Sequence, residues 1–222
     1  MRLAVLAAAA TILAGHSVRD TPINAVRTGD AQAPRTVLVV GEIHGNETAG
    51  RAVVRVLRGT APPQGVQVWT VASLNPDGER AGTRQNARGV DLNRNFPTRW
   101  LPNGRPGDLF YPGPRAASEP ETRALMRLVN TLHPDVTIHY HQAMNLVALP
   151  RQRKSRMIAR AYARRTSMRL ARLPNYRGTA SGWQTATQPS ATAFVVELPA
   201  GRLTPAQARR HARAALATVQ AG

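Results

Sequence analysis

The chain alternates short, unbroken apolar runs with segments of amphipathic helical spacing, and this alternation restricts its fold more than any other feature. Residues 36–40 are all β-branched or aliphatic and stand between Pro34 and Gly41, which is typical of a strand buried on both faces. Residues 49–57 follow with apolar positions at helical spacing. Because strands and helices alternate in this way, we expect an α/β fold: a mixed, mostly parallel central sheet with helices on both faces.

The other elements are predicted from the same signals. The predicted strands are 18–28, 66–74, 136–141 and 193–198, and the predicted helices are 118–132, 153–170 and one that begins at Thr204-Pro205. Ser118 and Glu121 have the spacing of a capping box at the start of their helix. Residues 75–115 are predicted to be a long loop, which a compact domain tolerates mainly where the loop builds a site.

The length and the N-terminus suggest one domain behind a leader. With 222 residues, 42% of them hydrophobic, and no internal repeat or linker, we expect a single domain over residues 15–222. Residues 1–14 combine Arg2 with an apolar run, which is typical of a signal peptide and too short to span a bilayer as a stable helix. A buried N-terminal helix is the alternative. A signal peptide predicts a secreted or envelope-associated protein without a transmembrane anchor; a cytoplasmic location stays open, as does the oligomeric state.

The charge balance is strongly basic. Lys and Arg total 30 against 12 Asp and Glu, which gives a net charge of +18 and suits a polyanionic partner such as nucleic acid or an anionic cell envelope. Lys154 is the single lysine, so a coding bias toward arginine explains the excess as well as a binding surface does. The chain has no cysteine, and any metal must therefore be bound by histidine, aspartate or glutamate.

The most basic stretch raises a binding hypothesis. Residues 151–177 contain nine arginines, one lysine and no acid, so a basic polyanion-binding protein is one functional class to consider. Only Tyr162 and Tyr176 are interleaved with these charges, whereas nucleic-acid grooves combine charge with stacking side chains. A solvated helix face is therefore favoured, and we expect no specific nucleic-acid partner.

A histidine and a glutamate follow the predicted strand 36–40. His44 and Glu47 are three residues apart, and Gly45 between them lets the backbone bend so that both side chains can converge on one ion. A polar strand end followed by a helix-start glutamate explains this short pattern equally well. Further ligands are needed to decide.

Two histidines in the predicted strand 136–141 are candidates for a third ligand. His139 and His141 face the same way, because strand side chains alternate, so facing leaves both open. His141 is favoured since it is closer to the carboxyl end of the strand, where open α/β sheets bind ligands. Two histidines and a glutamate, with a water in the fourth position, form a catalytic zinc set.

One carboxylate stands alone in the second part of the chain. Glu197 is the only acid among residues 136–222, and it lies in the predicted apolar strand 193–198. Next to a metal, such a carboxylate is a candidate general base for a zinc-bound water. An ion pair with one of the many arginines is the alternative.

Arginine and asparagine are concentrated in residues 83–97. These side chains can hold a carboxylate through bidentate and amide hydrogen bonds. In a chain this rich in arginine, solvated loop arginines are the alternative.

Five motifs occur in the order seen in zinc carboxypeptidases of the carboxypeptidase A type. They are His44-x-x-Glu47, Asn75-Pro76-Asp77-Gly78, the stretch from Arg84-x-Asn86 through Gly89-Val90-Asp91-Leu92-Asn93-Arg94-Asn95-Phe96-Pro97, the histidine strand, and Phe194-Val195-Val196-Glu197-Leu198-Pro199. The resemblance covers about residues 15–200. The short length and Tyr140-His141-Gln142 resemble the compact bacterial branch that includes the murein peptide amidases.

The resemblance implies a zinc carboxypeptidase-like fold, of the phosphorylase/hydrolase type, with one zinc ion. His44, Glu47 and His141 would bind the zinc, and His139 remains the alternative third ligand. Asp91 would orient His44 from behind. Glu197 would activate the water and later pass its proton to the leaving amine.

The same resemblance implies how a substrate is held. Arg84 would stabilise the oxyanion, Asn93 and Arg94 would grip a terminal carboxylate, and Tyr176 is a loose counterpart of the family's substrate-covering tyrosine. We therefore expect a zinc metallocarboxypeptidase that hydrolyses a peptide or amide bond next to a free carboxylate, in peptides or in the stem peptides of peptidoglycan. An N-acyl amino acid deacylase on the same fold is the alternative, although Asn93-Arg94 speaks against it.

Overall fold

The computed structural model describes residues 10–220, which form one seven-stranded sheet and six α-helices. The strands are β1 (Ala10–His16), β2 (Pro22–Thr28), β3 (Arg35–Val40), β4 (Val66–Val71), β5 (Val136–Ala148), β6 (Arg169–Ala171) and β7 (Thr192–Pro199). The helices are α1 (Gly50–Arg58), α2 (Pro76–Ala81), α3 (Pro120–Leu132), α4 (Arg153–Thr166), α5 (Ala180–Thr187) and α6 (Pro205–Leu216), with 3-10 turns at Leu92–Arg94 and Ala217–Gln220.

The sheet is mixed and mostly parallel, as predicted. Its order is β1-β2-β4-β3-β5-β6, with β7 also paired to β5. The β1–β2 and β2–β4 pairs are antiparallel, and the other four pairs are parallel. The parallel strands β3 and β5 therefore end at the same edge of the sheet.

Helices cover both faces, which confirms the second part of the predicted architecture. In β3, Val37 and Val39 pack in a buried cluster with side chains of α1, α4 and α6, while Leu38 and Val40 pack on the other face with side chains of α3 and α5. This alternation explains why the strand is apolar at every position: each face is buried against helices.

The pairing of β5 with β7 brings distant residues together. In this parallel register His139 lies opposite Val195, and His141 lies opposite Glu197. Directly opposed residues on neighbouring strands point to the same face. The sheet therefore places the Glu197 and His141 side chains next to each other, although 55 residues separate them in the chain.

Most differences from the predicted elements concern short elements, caps and element ends. The largest are β1, which was not predicted as a strand, and β5, which continues to Ala148 beyond its predicted end at residue 141. Within the predicted loop 75–115, the helix α2 is capped at its start by Asn75, whose side chain accepts a hydrogen bond from the Gly78 N–H, and at its end by Gly82 in the left-handed region. Asparagine, proline and glycine at these positions also suit a turn, so the residue types alone did not distinguish a short helix from a turn. The short elements β6 and α5 were not predicted either.

The predicted capping box at α3 is wrong. Glu119 is the N-cap residue and makes no capping hydrogen bond from its side chain. Glu121 instead accepts hydrogen bonds from the Val18 N–H and from Asn86, so tertiary contacts take the carboxylate away from the helix end. At α6, by contrast, Thr204 forms a complete capping box.

The N-terminal apolar run is partly described. Ala10–His16 form β1, and the Ala14 carbonyl accepts a hydrogen bond from Arg127 at 3.0 Å, so this part of the run is a strand and not the alternative helix. Residues 1–9 lie outside the described residues, and the leader peptide with its boundary at residue 14 stays a prediction. Among residues 10–220, no helix is long and apolar enough to cross a membrane.

Candidate metal centre and substrate cleft

His44 and Glu47 lie in the turn between β3 and α1. The Glu47 N–H donates to the His44 carbonyl at 3.0 Å, which closes the turn. A Cβ at Gly45 would come within 2.0 Å of the Gly78 backbone. Only glycine therefore allows this turn to pack against α2, and that packing fixes where His44 and Glu47 point.

Three buried side chains converge at the carboxyl ends of β3 and β5. Glu47 Oε1 is 2.9 Å from His44 Nδ1, and Glu47 Oε2 is 2.9 Å from His141 Nδ1. The two Nδ1 atoms are 3.1 Å apart, and one ligand atom from each of the three residues lies within 4.8 Å of the others. The three groups thus present nitrogen and oxygen lone pairs to one small volume.

Asp91 and Arg84 support this cluster from the loop that precedes the 3-10 turn. Asp91 Oδ1 lies 2.9 Å from His44 Nε2, and Arg84 donates to Asp91 Oδ2 through Nε and Nη2 and to Glu47 Oε1 through Nη1 at 2.9 Å. With a metal bound, Asp91 would hold a proton on His44 Nε2, which would leave Nδ1 without a proton as the ligand atom.

The charges of the cluster compensate one another. Burial by itself would raise the pKa of Glu47 and of Asp91, but the hydrogen bonds from the histidines to Glu47 and the charges of His44 and Arg84 beside Asp91 hold both well below their ordinary values. For His44, burial would lower the pKa, and Asp91 raises it above the ordinary value. Both carboxylates are therefore ionised at neutral pH, as metal ligation and its support require.

The cluster fits a zinc ion. Two imidazoles and one carboxylate are a donor set that zinc accepts in catalytic sites, where a fourth position stays open. His44, the first of these imidazoles, is already oriented by Asp91 at 2.9 Å, the kind of support that ligating histidines receive in metalloproteins.

His139 lies outside the cluster. It is buried, and neither of its ring nitrogens has a hydrogen-bond partner among residues 10–220. Burial, with a smaller contribution from His141, lowers the pKa of His139 to about 3, so its ring is neutral. The structure thus brings His141 to Glu47 and leaves His139 two residues further from the carboxyl end of β5.

Glu197 lines the same cleft as the cluster. Its Oε2 has no hydrogen-bond partner in the described part of the chain. Burial raises the pKa of Glu197 to about 7, and the nearby negative charge of Glu47 adds to the effect. A carboxylate with this pKa can both take up and release a proton near neutral pH.

Arg94, which also lines the cleft, lies against two neighbouring aromatic rings. Its guanidinium carbon lies 4.2 Å from the centre of the Tyr176 ring and 4.8 Å from that of Phe110, in cation–π contacts. Burial lowers the pKa of Arg94. Nη1 donates to the Asn93 carbonyl at 2.7 Å, so the group is fixed in place while it still lines the cleft.

The Asn93 side chain uses part of its hydrogen-bonding capacity within the protein. Its Oδ1 accepts a hydrogen bond from the Ala180 N–H, and its Nδ2 lies 3.3 Å from His141 Nε2. The carboxamide therefore ties the start of α5 to the metal cluster. An amide nitrogen has two N–H groups, which leaves one donor beyond the contact to His141.

The predicted site residues line one cavity of about 450 Å³. They are His44, Glu47, Arg84, Asn93, Arg94, His141, Tyr176 and Glu197. Sequence reasoning missed Phe110, which stacks on Arg94, and the structural role of Gln142, whose backbone N–H donates to Glu47 Oε2 at 3.1 Å. No local pattern marks Phe110, because its contact depends on how the long loop folds back.

The sheet and the His44–Glu47–His141 cluster together are those of a metallopeptidase-type domain. A family model described as zinc carboxypeptidase matches residues 7–212, and the chain belongs to that family, the M14 peptidases. This confirms the resemblance read from the sequence.

The similar proteins include members of the compact bacterial branch of this family. The chain is 32% identical over 125 residues to murein peptide amidase A of Escherichia coli K12; the match covers 51% of this chain and 52% of the relative, so the chain spans about half the length of the curated relatives it matches. The crystal structure of a murein-tripeptide amidase from Escherichia coli O157 superposes with a TM-score of 0.71 and 22% identity over 93% of this chain and 89% of that one. Carboxypeptidase A from Helicoverpa armigera gives a TM-score of 0.77 and 18% identity over 96% and 69%. At these identities the solved structures show a shared fold.

Proposed function

We propose that this protein uses one zinc ion to hydrolyse a peptide or amide bond next to a free carboxylate, and that peptidoglycan stem peptides are its substrate class. The observation that supports this most strongly is the shared cleft. It is lined by the His44–Glu47–His141 cluster, by the Arg94 guanidinium stacked on Tyr176, and by Glu197, whose Oε2 has no hydrogen-bond partner among residues 10–220.

His44, Glu47 and His141 would hold the zinc, which when bound supplies a Lewis acid and acidifies water. Glu197 takes a proton from the attacking water and passes it to the leaving amine, which its raised pKa suits. Arg84, anchored on Asp91, offers positive charge to the oxyanion at the reacting carbonyl.

In the same cleft, Arg94 would bind the substrate's terminal carboxylate. Asn93 would add its remaining N–H, and Tyr176 would cover the bound residue next to Arg94. A fixed guanidinium orients the scissile bond toward the metal and restricts attack to a chain end.

The choice of stem peptides is supported by the murein peptide amidases among the relatives. Their substrates are cell-wall peptides by name. Export of this chain to the envelope, as the leader predicted from the sequence would imply, would bring it to such a substrate, and we include that location in the proposal.

Side-by-side assays with added zinc test the proposal. The substrates are a stem peptide with a free carboxyl terminus, the same peptide with an amidated terminus, an ordinary C-terminal peptide and an N-acyl amino acid. We expect the amidated peptide to be cleaved about 10–100-fold more slowly, the loss for a charge-assisted contact, and Arg94→Gln to remove most of this difference. The matched control is Arg209→Gln, an exposed arginine on α6. Equal rates on the two termini would contradict carboxylate recognition, and fastest turnover of the N-acyl amino acid would identify a deacylase instead.

A further inference from the structure

A second depression adjoins the substrate cleft, and four of its six lining residues are arginines. Its volume is about 360 Å³. We call it the arginine groove; its lining residues are Leu149, Arg153, Arg156, Met157, Arg160 and Arg172. Leu149 also lines the substrate cleft, so the two cavities share this side chain as a wall.

Helical spacing brings three of the guanidiniums together. Arg153, Arg156 and Arg160 follow the i, i+3, i+7 spacing that places side chains on one face of α4. Arg172 joins them from the segment after β6. The groove also adjoins the first turn of α4, where the helix dipole adds positive potential.

These four charges lack carboxylate partners. Among residues 10–220, no ion pair involves any of the four arginines, and Glu197 in the neighbouring cleft is the only acid in residues 136–222. Exposed arginines are common in this chain, but here four of them border one concave volume. Their mutual repulsion favours a ligand with several negative charges over a single carboxylate.

The groove also offers apolar contact. Met157 is 56% exposed in the middle of the arginine face, and Leu149 forms the wall toward the cleft. Guanidinium groups bind phosphate oxygens in a bidentate geometry. Clustered guanidiniums beside exposed apolar side chains therefore suit phosphate groups joined to an apolar moiety.

We propose that the arginine groove is a binding site for phosphate oxyanions, separate from the catalytic cleft. Two sources share this chemistry: a soluble phosphate or diphosphate compound and the phosphate headgroups of a lipid surface. The catalytic residues keep their roles, because none of them lines the groove.

Calorimetric titration of the full chain with inorganic pyrophosphate tests the site. The double variant Arg156→Gln/Arg160→Gln removes two groove charges, and Arg209→Gln/Arg213→Gln removes the same number at the same i, i+4 spacing from exposed positions on α6. We expect about a tenfold or greater loss of affinity in the groove variant and little change in the control, with circular dichroism and peptide hydrolysis retained in both.

A second arm identifies the source. Sedimentation with phosphatidylglycerol vesicles that is lost in the groove variant and absent for phosphatidylcholine vesicles supports a lipid headgroup, whereas pyrophosphate binding without vesicle binding supports a soluble phosphate. Unchanged pyrophosphate affinity in the groove variant, or equal losses in the two double variants, would overturn the proposal. Groove-dependent binding to duplex DNA but not to pyrophosphate would also overturn it and favour a nucleic-acid surface.

Discussion

The metal centre and the arginine groove share Leu149 as a wall, yet their ionisable groups are arranged in opposite ways. In the centre, Glu47 lies 2.9 Å from each of His44, His141 and Arg84. In the groove, four guanidiniums face one volume with no carboxylate among the lining residues. Ionised groups that pair with opposite charges within the protein are held in place before a ligand binds. Ionised groups without such a partner can pair only with the charges of a ligand. The arrangement of the metal centre therefore suits catalysis, which needs groups in fixed positions, and that of the arginine groove suits binding of an anionic ligand.

Removing the metal should produce the largest effect and should affect only one of the two regions. A bound zinc supplies several kcal/mol of transition-state stabilisation, so excess chelator should lower peptide hydrolysis by about 10³-fold or more. Added zinc should restore the rate, and magnesium should not, because the donor set contains two imidazoles. Pyrophosphate binding in the groove should persist through the treatment; its loss together with activity would show that the two regions are not independent.

The next largest effect is expected from Glu197→Gln. Glutamine keeps the shape of the side chain but cannot accept the proton, so hydrolysis with saturating zinc should fall by about 10²–10⁴-fold, while zinc affinity is retained. Single-turnover rates and zinc titrations on the same preparation check both. Undiminished hydrolysis would remove Glu197 as the general base.

Asp91→Asn tests whether the negative charge of Asp91 beside His44 and Arg84 matters for metal binding. The amide removes the charge that faces His44 Nε2 and Arg84, and we expect zinc affinity to fall about 10–100-fold. Arg35 and Asp135 form an exposed ion pair, so Asp135→Asn is a matched control that should leave zinc affinity unchanged. Competition with a chelating dye measures both affinities, and equal affinity in Asp91→Asn and the unmodified chain would refute the support role.

The smallest predicted effect concerns stability and pH. In the folded chain the pKa of Glu197 is raised to about 7 from an ordinary 4.5, mainly by burial. Between these two values the folded state binds more protons than the unfolded state, so Glu197 lowers stability progressively as pH rises from about 4.5 to 7. In protein stripped of metal, Glu197→Gln should therefore raise the free energy of unfolding at pH 8 by about 1–2 kcal/mol, after allowance for solvent screening. Denaturant unfolding at pH 4 should show a smaller difference; the same gain at both pH values would contradict the raised pKa.

The sequence predicted the long elements of the fold well because their signals are local. Residues 37–40 and 193–196 are unbroken apolar runs, and both lie in strands of the sheet. The α6 start was predicted from Thr204-Pro205, which caps the helix as expected. Short elements such as α2 and α5 were missed, since their cap residues also suit turns and their helical form depends on packing.

For the site, the local sequence patterns predicted which side chains form the metal cluster, but not the contacts that hold each of them in place. The His44-x-x-Glu47 spacing and the strand-end position of His141 led to the observed cluster. The same reasoning could not find Phe110, Gln142 or the engagement of Asn93 with α5, because these contacts join segments that are far apart in the chain. Nor could charge counting separate the arginine groove from the other arginines, since only the fold brings its members to one depression.

The proposed metal centre is tested most directly by a comparison of two histidines on one strand. His139 and His141 face the same side of β5, yet only His141 contacts Glu47, and the ring nitrogens of His139 have no partner among residues 10–220. Zinc titration of His139→Leu and His141→Leu, with circular dichroism to confirm folding, measures which ring binds the metal. We expect near-normal zinc affinity for His139→Leu and loss of high-affinity binding for His141→Leu. Retained zinc binding in His141→Leu, or its loss in folded His139→Leu, would contradict the proposed metal centre.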